Sequence, residues 1–237
     1  MNGEIAVLMA AGLGTRMRPL TINTPKPLIK VCGTPMIETI IEGLKFRNVE
    51  EIYVITGYLG GRFSYLEQKY PGLYIVYNRE FETVNNISSI KVVTDIIRGR
   101  DTFICEADLY ISNPEIFKKN IDSSCYFAKF VEGHSDDWVF DLDSNGRITR
   151  VGKVGDDCYN MCGLAYFMQK DSAILADAID DMYKTGGYEE MFWDDVVNNN
   201  LDKLSLSVHP IDNESVTEID SVEELCAVDP SYLNEIM

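Results

Sequence analysis

The sequence is short of histidine, of paired cysteines and of long apolar runs, and each shortage argues against a class of protein. Its two histidines, His134 and His209, lie in no motif, so neither is favoured as a general base. None of the six cysteines forms a Cys-x-x-Cys pair, which argues against a zinc site and predicts reduced, buried thiols. No apolar run approaches the ~18 residues of a membrane span, so we expect a cytoplasmic protein with no membrane partner.

Positive charge is also scarce. Lysine and arginine number 21 against 38 acidic residues, which gives a formal net charge of −17. Because an acidic surface repels nucleic acid, we expect no nucleic-acid partner. The same surface repels a free nucleotide unless a local cationic cluster or a metal ion outweighs it.

Apolar runs and helical patterns alternate through the first 110 residues of this 237-residue chain. The alternation predicts an α/β fold with a doubly wound, mostly parallel Rossmann-like sheet. Ligands are then expected at the carboxyl ends of the strands. The predicted strands cover residues 5–9, 51–56, 73–77 and 101–105, and the predicted helices begin at Pro35 and cover 61–70 and 86–97.

The second half of the chain is less regular and contains a predicted β-hairpin. Strands at 138–143 and 147–151 are joined by Ser-Asn-Gly at 144–146, and Asn-Gly favours a type I′ turn. Ser221 followed by Glu224 is typical of a capped helix start. Further predicted strands cover 160–168, 204–209 and 216–219, and further predicted helices cover 171–183 and 190–198.

The loop after the first strand concentrates groups that bind anions. Gly12 and Gly14 allow backbone N–H groups to approach a phosphate closely, and Arg16 adds a guanidinium group. Lys26 lies between two prolines, whose fixed φ angles hold it in place. The loop matches neither the P-loop pattern nor the GxGxxG pattern, so it predicts neither of those sites.

This loop is the first part of a longer resemblance to the nucleotidyltransferases that activate sugar phosphates and choline phosphate. The matching segment, residues 8–35, follows the pattern AAGxGxRxxPxT and then PKPxxxVxGxPxI. Acidic segments at 106–108 (EAD) and 217–221 (TEIDS) resemble the family's metal-binding motifs. The pair at 85–86 (NN) and the triplet at 192–194 (FWD) resemble motifs of one branch of the family, the phosphocholine and 2-aminoethylphosphonate cytidylyltransferases. The fold implied is the nucleotide-diphospho-sugar transferase type, with a small hairpin-containing part that binds the acceptor.

The resemblance implies magnesium-dependent transfer of CMP from CTP to a small acceptor that carries an amine and a phosphate or phosphonate. The implied catalytic residues are Lys26, on the α-phosphate, and Arg16, on the triphosphate. The implied Mg²⁺ ligands are Asp108, Asp220 and Glu218. The implied nucleotide-binding residues are Leu8, Ala10, Gly12, Gly14, Thr15, Asn85, Ser88 and Ser89. For Asn86 two roles stay open, recognition of the base and capping of its own helix.

The implied acceptor-binding residues are Trp138, Lys153, Phe192, Trp193 and Asp194. The tryptophans are candidates for an aromatic cage, and Lys153 for a contact with the acceptor's phosphate. The choline branch tends to have an aromatic residue within the Asn-Asn-x-x-Ser segment at 85–89, and this chain has none there. Since a less aromatic pocket with carboxylates suits a primary amine, 2-aminoethylphosphonate stands slightly ahead of phosphocholine.

Two alternatives stay open. A sugar-1-phosphate nucleotidyltransferase shares the loop and the aspartates, although the Trp/Phe-rich segment argues against sugar hydroxyls. A non-catalytic nucleotide sensor of the same fold would be expected to lack Lys26 or a metal aspartate, and all are present. We expect one domain over residues 1–228, with a nucleotide-binding half of about 1–110 and an acceptor-binding half of about 111–228. Residues 229–237 are expected to form a tail or a linker to a fused enzyme.

Overall fold

The computed structural model describes residues 3–118 and 120–234, whose strands pair into three sheets. The strands of this part of the chain are β1 (Ile5–Ala10), β2 (Lys30–Val31), β3 (Thr34–Pro35), β4 (Glu51–Thr56), β5 (Leu73–Tyr77), β6 (Thr102–Glu106), β7 (Leu109–Ile111), β8 (Ser124–Leu142), β9 (Ile148–Phe167), β10 (Leu206–Pro210) and β11 (Val216–Glu218).

The largest sheet has the strand order β10-β8-β9-β6-β1-β4-β5 within the described ranges. β1 pairs in parallel with β4 and β6, β4 with β5, and β8 with β10. β9 is antiparallel to both β6 and β8. The predicted doubly wound, mostly parallel sheet is therefore confirmed. Met9 of β1 pairs with Glu106 of β6, so the carboxyl ends of these two strands lie side by side.

Helices cover both faces of this sheet. The side chains of β1 alternate accordingly: Ala6 and Leu8 pack into one core, and Ile5 and Val7 pack into the other. No helix in the described residues is long and apolar enough to cross a membrane. The α-helices are α1 (Met36–Phe46), α2 (Tyr65–Lys69), α3 (Ile87–Lys91), α4 (Thr94–Ile97), α5 (Gln169–Thr185), α6 (Trp193–Asn198) and α7 (Val222–Val228), and 3₁₀ turns cover Thr15–Met17, Leu20–Ile22, Lys26–Leu28, Gly60–Phe63, Pro114–Lys118 and Pro230–Asn234.

A third apolar cluster joins the phosphate loop to the C-terminal helix. Met17 and Ile29 from the loop pack with Ile219 and Leu225. The predicted cap is confirmed, because the N–H of Glu224 donates to Ser221 Oγ and the N–H of Ser221 donates to the Glu224 carboxylate. The cluster thus holds the residues around Asp220 against the loop that carries Lys26.

The segment expected to be a tail or linker begins on this cluster. Asp229 Oδ2 accepts a hydrogen bond from the N–H of Cys32 at 2.7 Å. The hydroxyl of Tyr232 donates to the carbonyl oxygen of Lys30 at 2.9 Å. The last three residues of that segment, 235–237, lie outside the described residues.

The predicted hairpin is formed, but its strands are longer and its turn is different. β8 and β9 have 19 and 20 residues. The N–H of Gly146 donates to the carbonyl of Asp143 at 3.0 Å, and the N–H of Asp143 donates to the carbonyl of Arg147 at 2.9 Å. In this turn only Gly146 has a positive φ, of 78°, whereas a type I′ turn needs two such residues. The predicted type I′ turn is wrong, and a three-residue loop with a left-handed glycine takes its place.

Three predicted helices begin or end differently. The helix predicted at 86–97 is divided into α3 and α4, since Val93 leaves the helical region at φ −124° and ψ 10°. The helix predicted at 61–70 begins as the 3₁₀ turn and continues as α2. The helix predicted at 190–198 begins only at Trp193, because Phe192 is extended. The last difference decides which side chains of that segment can face a ligand.

Candidate active site

The phosphate loop leaves the end of β1 and folds back on Lys26. Gly14 has a left-handed φ of 59°, and a Cβ placed there would lie 2.8 Å from Lys26 Cβ. The hydroxyl of Thr21 donates to the carbonyl of Gly14 at 2.8 Å. A glycine is therefore required at this position for two reasons, the backbone conformation and the close approach of the lysine.

Lys26 is almost buried at the centre of the site, with 8% of its surface exposed. Its Nζ lies 2.7 Å from Asp108 Oδ2 and 2.5 Å from Asp220 Oδ1. Arg16 Nη2 lies 2.8 Å from the same Asp220 oxygen, and its side chain is 71% exposed. Burial alone would lower the pKa of Lys26, but the two aspartates outweigh that effect and raise it. The lysine is therefore held as a cation.

Three carboxylates meet beside this lysine. Glu106, Asp108 and Glu218 each offer an oxygen, and these oxygens lie within 4.8 Å of one another. β11 pairs with β7, and the N–H of Ile219 donates to the carbonyl of Asp108 at 3.2 Å, which brings Glu218 to the end of β6. Burial, together with Asp108 and Glu218, raises the pKa of Glu106 well above its ordinary value. Glu218 is exposed as a residue, but desolvation of its carboxylate, together with Asp108 and Asp220, raises its pKa to about 7.

The carboxylate group has the features expected of a site for a hard cation. Asp108 Oδ1 is buried and has no hydrogen-bond partner among the described residues, which is costly for a carboxylate oxygen. Crowded carboxylates with raised pKa values are relieved by a divalent cation, and oxygen ligands of this kind suit Mg²⁺. Of the predicted ligands, Asp108 and Glu218 belong to the group, while Asp220 Oδ1 accepts hydrogen bonds from Lys26 and lies against Arg16.

Three cavities adjoin at this point, and Arg16 and Asp108 line all three. The first cavity, of about 370 Å³, contains the predicted residues Asn85, Ser88 and Ser89. The second cavity, of about 360 Å³, follows the phosphate loop. Its walls include the predicted residues Ala10, Gly12, Gly14, Thr15, Arg16 and Lys26.

Leu8 is the predicted nucleotide-binding residue that lines none of these cavities. It is 0% exposed and pairs with Val54 on one side and Cys105 on the other. Its backbone is therefore already engaged in the sheet. Ala10, at the end of the same strand, lines the second cavity instead.

The third cavity, of about 560 Å³, contains four of the five predicted acceptor-binding residues. The Lys153 ammonium lies 5.7 Å from the centre of the Trp138 ring, and the Phe192 ring meets the same tryptophan edge-on with centroids 5.6 Å apart. Asp194 is 3% exposed and accepts a hydrogen bond from the Tyr126 hydroxyl at 2.9 Å. Burial raises the pKa of Asp194 to about 7.

Trp193 is the exception, and its predicted place in an aromatic cage is not supported. Its ring is 3% exposed and does not line the third cavity. It stacks on Tyr126 with centroids 5.8 Å apart and meets Phe167 edge-on. Consecutive residues of a helix point in different directions, so Asp194 and Trp193 could not both face the cavity.

The chain resembles known proteins over most of its length. The model of the nucleotidyl transferase family matches residues 5–133. The chain belongs to the nucleotidyl transferase family. A 2-aminoethylphosphonate cytidylyltransferase of Lancefieldella rimae is 53% identical to it over 228 residues, which cover 96% of this chain and 93% of the relative.

Solved structures agree with this assignment. The structure of CTP:phosphocholine cytidylyltransferase from Streptococcus pneumoniae (LicC) superposes on this chain with a TM-score of 0.86 and 30% sequence identity. The match covers 99% of each chain. The inositol-1-phosphate CTP transferase of T. maritima is 17% identical, has a TM-score of 0.74, and the match covers 93% of this chain and 90% of that one. The second similarity is evidence for the fold alone. The predicted nucleotide-diphospho-sugar transferase type of fold is confirmed for this nucleotidyl transferase.

Two residues of the nucleotidyl transferase site, Glu106 and Asn78, were not among the predicted site residues. Glu106 had a signal, because it begins the acidic segment at 106–108 that resembles a metal-binding motif, although only Asp108 of that segment was predicted as a ligand. Asn78 had none. Its Nδ2 donates to Ser88 Oγ at 2.8 Å and to Ser89 Oγ at 3.3 Å, and thereby orients two hydroxyls in the wall of the first cavity.

Proposed function

We propose that this nucleotidyl transferase is a cytidylyltransferase that transfers CMP from CTP to 2-aminoethylphosphonate and releases pyrophosphate. The 53% identity to a relative named for that acceptor supports the proposal. The first and second cavities would hold CTP, and the third would hold the acceptor. The observation that carries the choice of acceptor is the distribution of charge in the third cavity.

The third cavity suits a primary amine better than a quaternary ammonium. The Lys153 ammonium already lies over the Trp138 ring, 5.7 Å from its centre, so a trimethylammonium group would have to compete for that face. A primary ammonium can instead donate hydrogen bonds to Asp137 or Asp194, which line the same cavity. Lys153 can contact the phosphonate at the other end of the molecule.

The reaction needs alignment and positive charge. An anionic phosphonate oxygen attacks the α-phosphorus of CTP, a new P–O bond forms, and the bond to the β-phosphate oxygen breaks. No general base is required for an ionised oxygen, which agrees with His134 and His209 lying outside the three cavities. Lys26 and Arg16, with the backbone N–H groups of the phosphate loop, stabilise the charge that builds on the phosphate oxygens.

We also propose Mg²⁺ as the cofactor. Asp108 and Glu218 are the proposed ligands, with Glu106 beside them and Asp220 as a further ligand through its second oxygen. A bound Mg²⁺ neutralises phosphate charge and orients the oxygens that it contacts. The unpaired Asp108 Oδ1 is the strongest single support for a cation at this place.

We propose that a single domain over residues 1–228 carries out this transfer. The pairing of β9 with β6 supports it, because that pairing joins the nucleotide-binding half and the acceptor-binding half within one sheet. The junction of the three cavities lies at the carboxyl end of β6. Both substrates therefore meet on a rigid element.

The acceptor is tested by pyrophosphate release. With CTP and Mg²⁺, we expect kcat/KM to be highest for 2-aminoethylphosphonate, lower for phosphoethanolamine and phosphocholine, and lowest for glucose 1-phosphate. A preference for phosphocholine would contradict the proposed role of the carboxylates, and a preference for glucose 1-phosphate would favour the sugar alternative. Release with none of the four would favour the nucleotide sensor.

Asp137→Asn tests whether a carboxylate in the third cavity binds the ammonium group of 2-aminoethylphosphonate. Asp137 is exposed and lines the third cavity, so we expect its loss to raise the KM for 2-aminoethylphosphonate roughly fivefold, as for an exposed ion pair of ~1 kcal/mol. The kcat should change little. Asp136→Asn is the matched control, because Asp136 is also exposed but contacts His134 and does not line the cavity. Equal effects from both variants would assign the change to general surface charge.

A further inference from the structure

Asn85 and Asn86 connect two loops that belong to different cavities. The first loop, residues 78–86, lines the first cavity. The second, residues 186–192, leads from α5 to α6. The N–H of Asn85 donates to the carbonyl of Glu189 at 2.7 Å, and Asn85 Nδ2 donates to the carbonyl of Glu190 at 3.2 Å. Asn86 Oδ1 accepts from the N–H of Trp193 at 3.0 Å.

The bond to Trp193 shows that Asn86 caps a distant helix. Asn86 occupies the position before α3, but its side chain makes no capping hydrogen bond there. Trp193 is the first residue of α6, and the first N–H groups of a helix have no partner within it. The N–H of Phe192, one residue earlier, is satisfied by Asp195 of the same helix at 2.8 Å. Asn86 therefore supplies, from 107 residues away, the hydrogen-bond partner of the Trp193 N–H, while Asp195 caps the Phe192 N–H locally.

The two ends of this contact lie in the walls of different cavities. Asn85 and Asn86 line the first cavity, and Asp194, next to Trp193, lines the third. Phe192 lines both. A shift of Asn86 by a bound nucleotide would be transmitted through one hydrogen bond to the residues on either side of Trp193, and these form the acceptor side.

The loop before α6 contains two glycines, so the hydrogen bond between Asn86 and Trp193 can help to fix the start of α6. Gly186 and Gly187 have φ values of 85° and 79°, and neither position has a neighbour within 4 Å of an added Cβ. Beyond them, Tyr188 stacks on Tyr183, whose hydroxyl donates to Glu80 of the first loop at 3.0 Å. The second loop is thus bonded to Asn85 of the first loop through its Glu189 and Glu190 carbonyls, and Tyr183 of α5 adds a bond to Glu80.

We infer that Asn86 is a positioning residue that couples occupancy of the nucleotide cavity to the shape of the acceptor cavity. The inference rests on the proposed function, because it takes the first cavity as the CTP site and the third as the acceptor site. A nucleotide that fixes residues 85–89 also fixes the start of α6, and with it Phe192 and Asp194. The acceptor then binds a cavity that is already formed.

Asn86→Ala and Asn86→Asp test this coupling with a CTP analogue that cannot transfer, α,β-methylene-CTP. In the wild type, we expect the analogue to tighten binding of 2-aminoethylphosphonate about tenfold in calorimetry, within the usual range of coupling between sites. In Asn86→Ala the tightening should fall below about twofold. Asn86→Asp retains an oxygen that accepts the Trp193 N–H and should restore it. Asn199→Ala, at the exposed other end of α6, is the control and should behave as the wild type.

Hydrogen exchange gives a second readout. The analogue alone should protect peptides that span residues 186–198 in the wild type and in Asn86→Asp, but not in Asn86→Ala. Equal tightening in the wild type and Asn86→Ala would overturn the inference. So would a loss of analogue affinity in Asn86→Ala with the coupling factor unchanged, because Asn86 would then be a simple base contact.

Failure of the proposed function would look different. The wild type would then bind neither the analogue nor 2-aminoethylphosphonate and would release no pyrophosphate. In that case the positioning role is tested on the ligand-free proteins. Asn86→Ala must speed hydrogen exchange of the backbone amides at 193–198, while Asn86→Asp and Asn199→Ala must not. Unchanged exchange in Asn86→Ala would overturn the role of Asn86 itself.

Discussion

Replacing Lys26 by alanine is expected to lower kcat about 1,000-fold, the upper range for the loss of one charge-stabilising donor. Lys26 is 8% exposed, and its Nζ lies within 2.7 Å of two aspartates at the junction of the three cavities. Among the described residues, no other lysine lines the first or the second cavity. Pyrophosphate release under saturating CTP and 2-aminoethylphosphonate measures the effect, and circular dichroism shows whether the variant is folded.

Lys30→Ala is the matched control for this variant. Lys30 follows four residues later in the same segment, and its side chain is exposed. We expect its kcat to stay within about twofold of the wild type, as for a surface position without a special role. A Lys26→Ala protein that is folded and retains more than a tenth of the wild-type kcat would contradict the catalytic assignment.

Asp108→Asn is expected to remove both activity and stimulation by Mg²⁺. The substitution keeps the size of the side chain but deletes the charge beside Glu106 and Glu218, and Asp108 Oδ1 is the buried oxygen without a partner. We expect kcat to fall at least 100-fold and Mg²⁺ affinity at least tenfold, since loss of a ligand affects both. Mg²⁺ titrations of pyrophosphate release and of heat on binding measure the two effects.

Asp202→Asn removes an equal charge from an exposed turn and controls for net charge. It should leave both titrations unchanged. An Asp108→Asn protein that is still stimulated by Mg²⁺ at the wild-type concentration would show that the ion binds elsewhere. Glu106→Gln would then be the next variant, because Glu106 is the other acidic residue at the end of β6.

Much of the site could be predicted because its residues belong to local motifs. The glycines of the phosphate loop and Asp108 follow strand ends in a parallel sheet, and the carboxyl ends of such strands meet at one edge. The rule places the ends of β1 and β6 at the same edge, and the strand order makes them neighbours. Glu218 is brought close to Asp108 by the pairing of β11 with β7, and no local sequence pattern predicts that pairing.

The failures have one physical cause, which is the direction of side chains in short or irregular segments. Trp193 begins a helix of six residues, too short for a periodic pattern to show which side is buried. Asn86 has the residue type and position of a cap for α3, but its partner lies 107 residues away. The turn at 144–146 has the Asn-Gly signal, yet the register of the long strands selects a different loop.

The distance along the chain between Lys26 and Asp220 has a consequence for synthesis. The two residues are 194 positions apart, while Asp108 is 82 positions from the lysine. At about 5–20 residues per second, Asp220 leaves the ribosome's active centre roughly 10–40 s after Lys26. During that interval the phosphate loop also lacks Leu225, its apolar partner from α7. A nascent chain interrupted before α7 should therefore be catalytically silent, so incomplete translation products would consume no CTP.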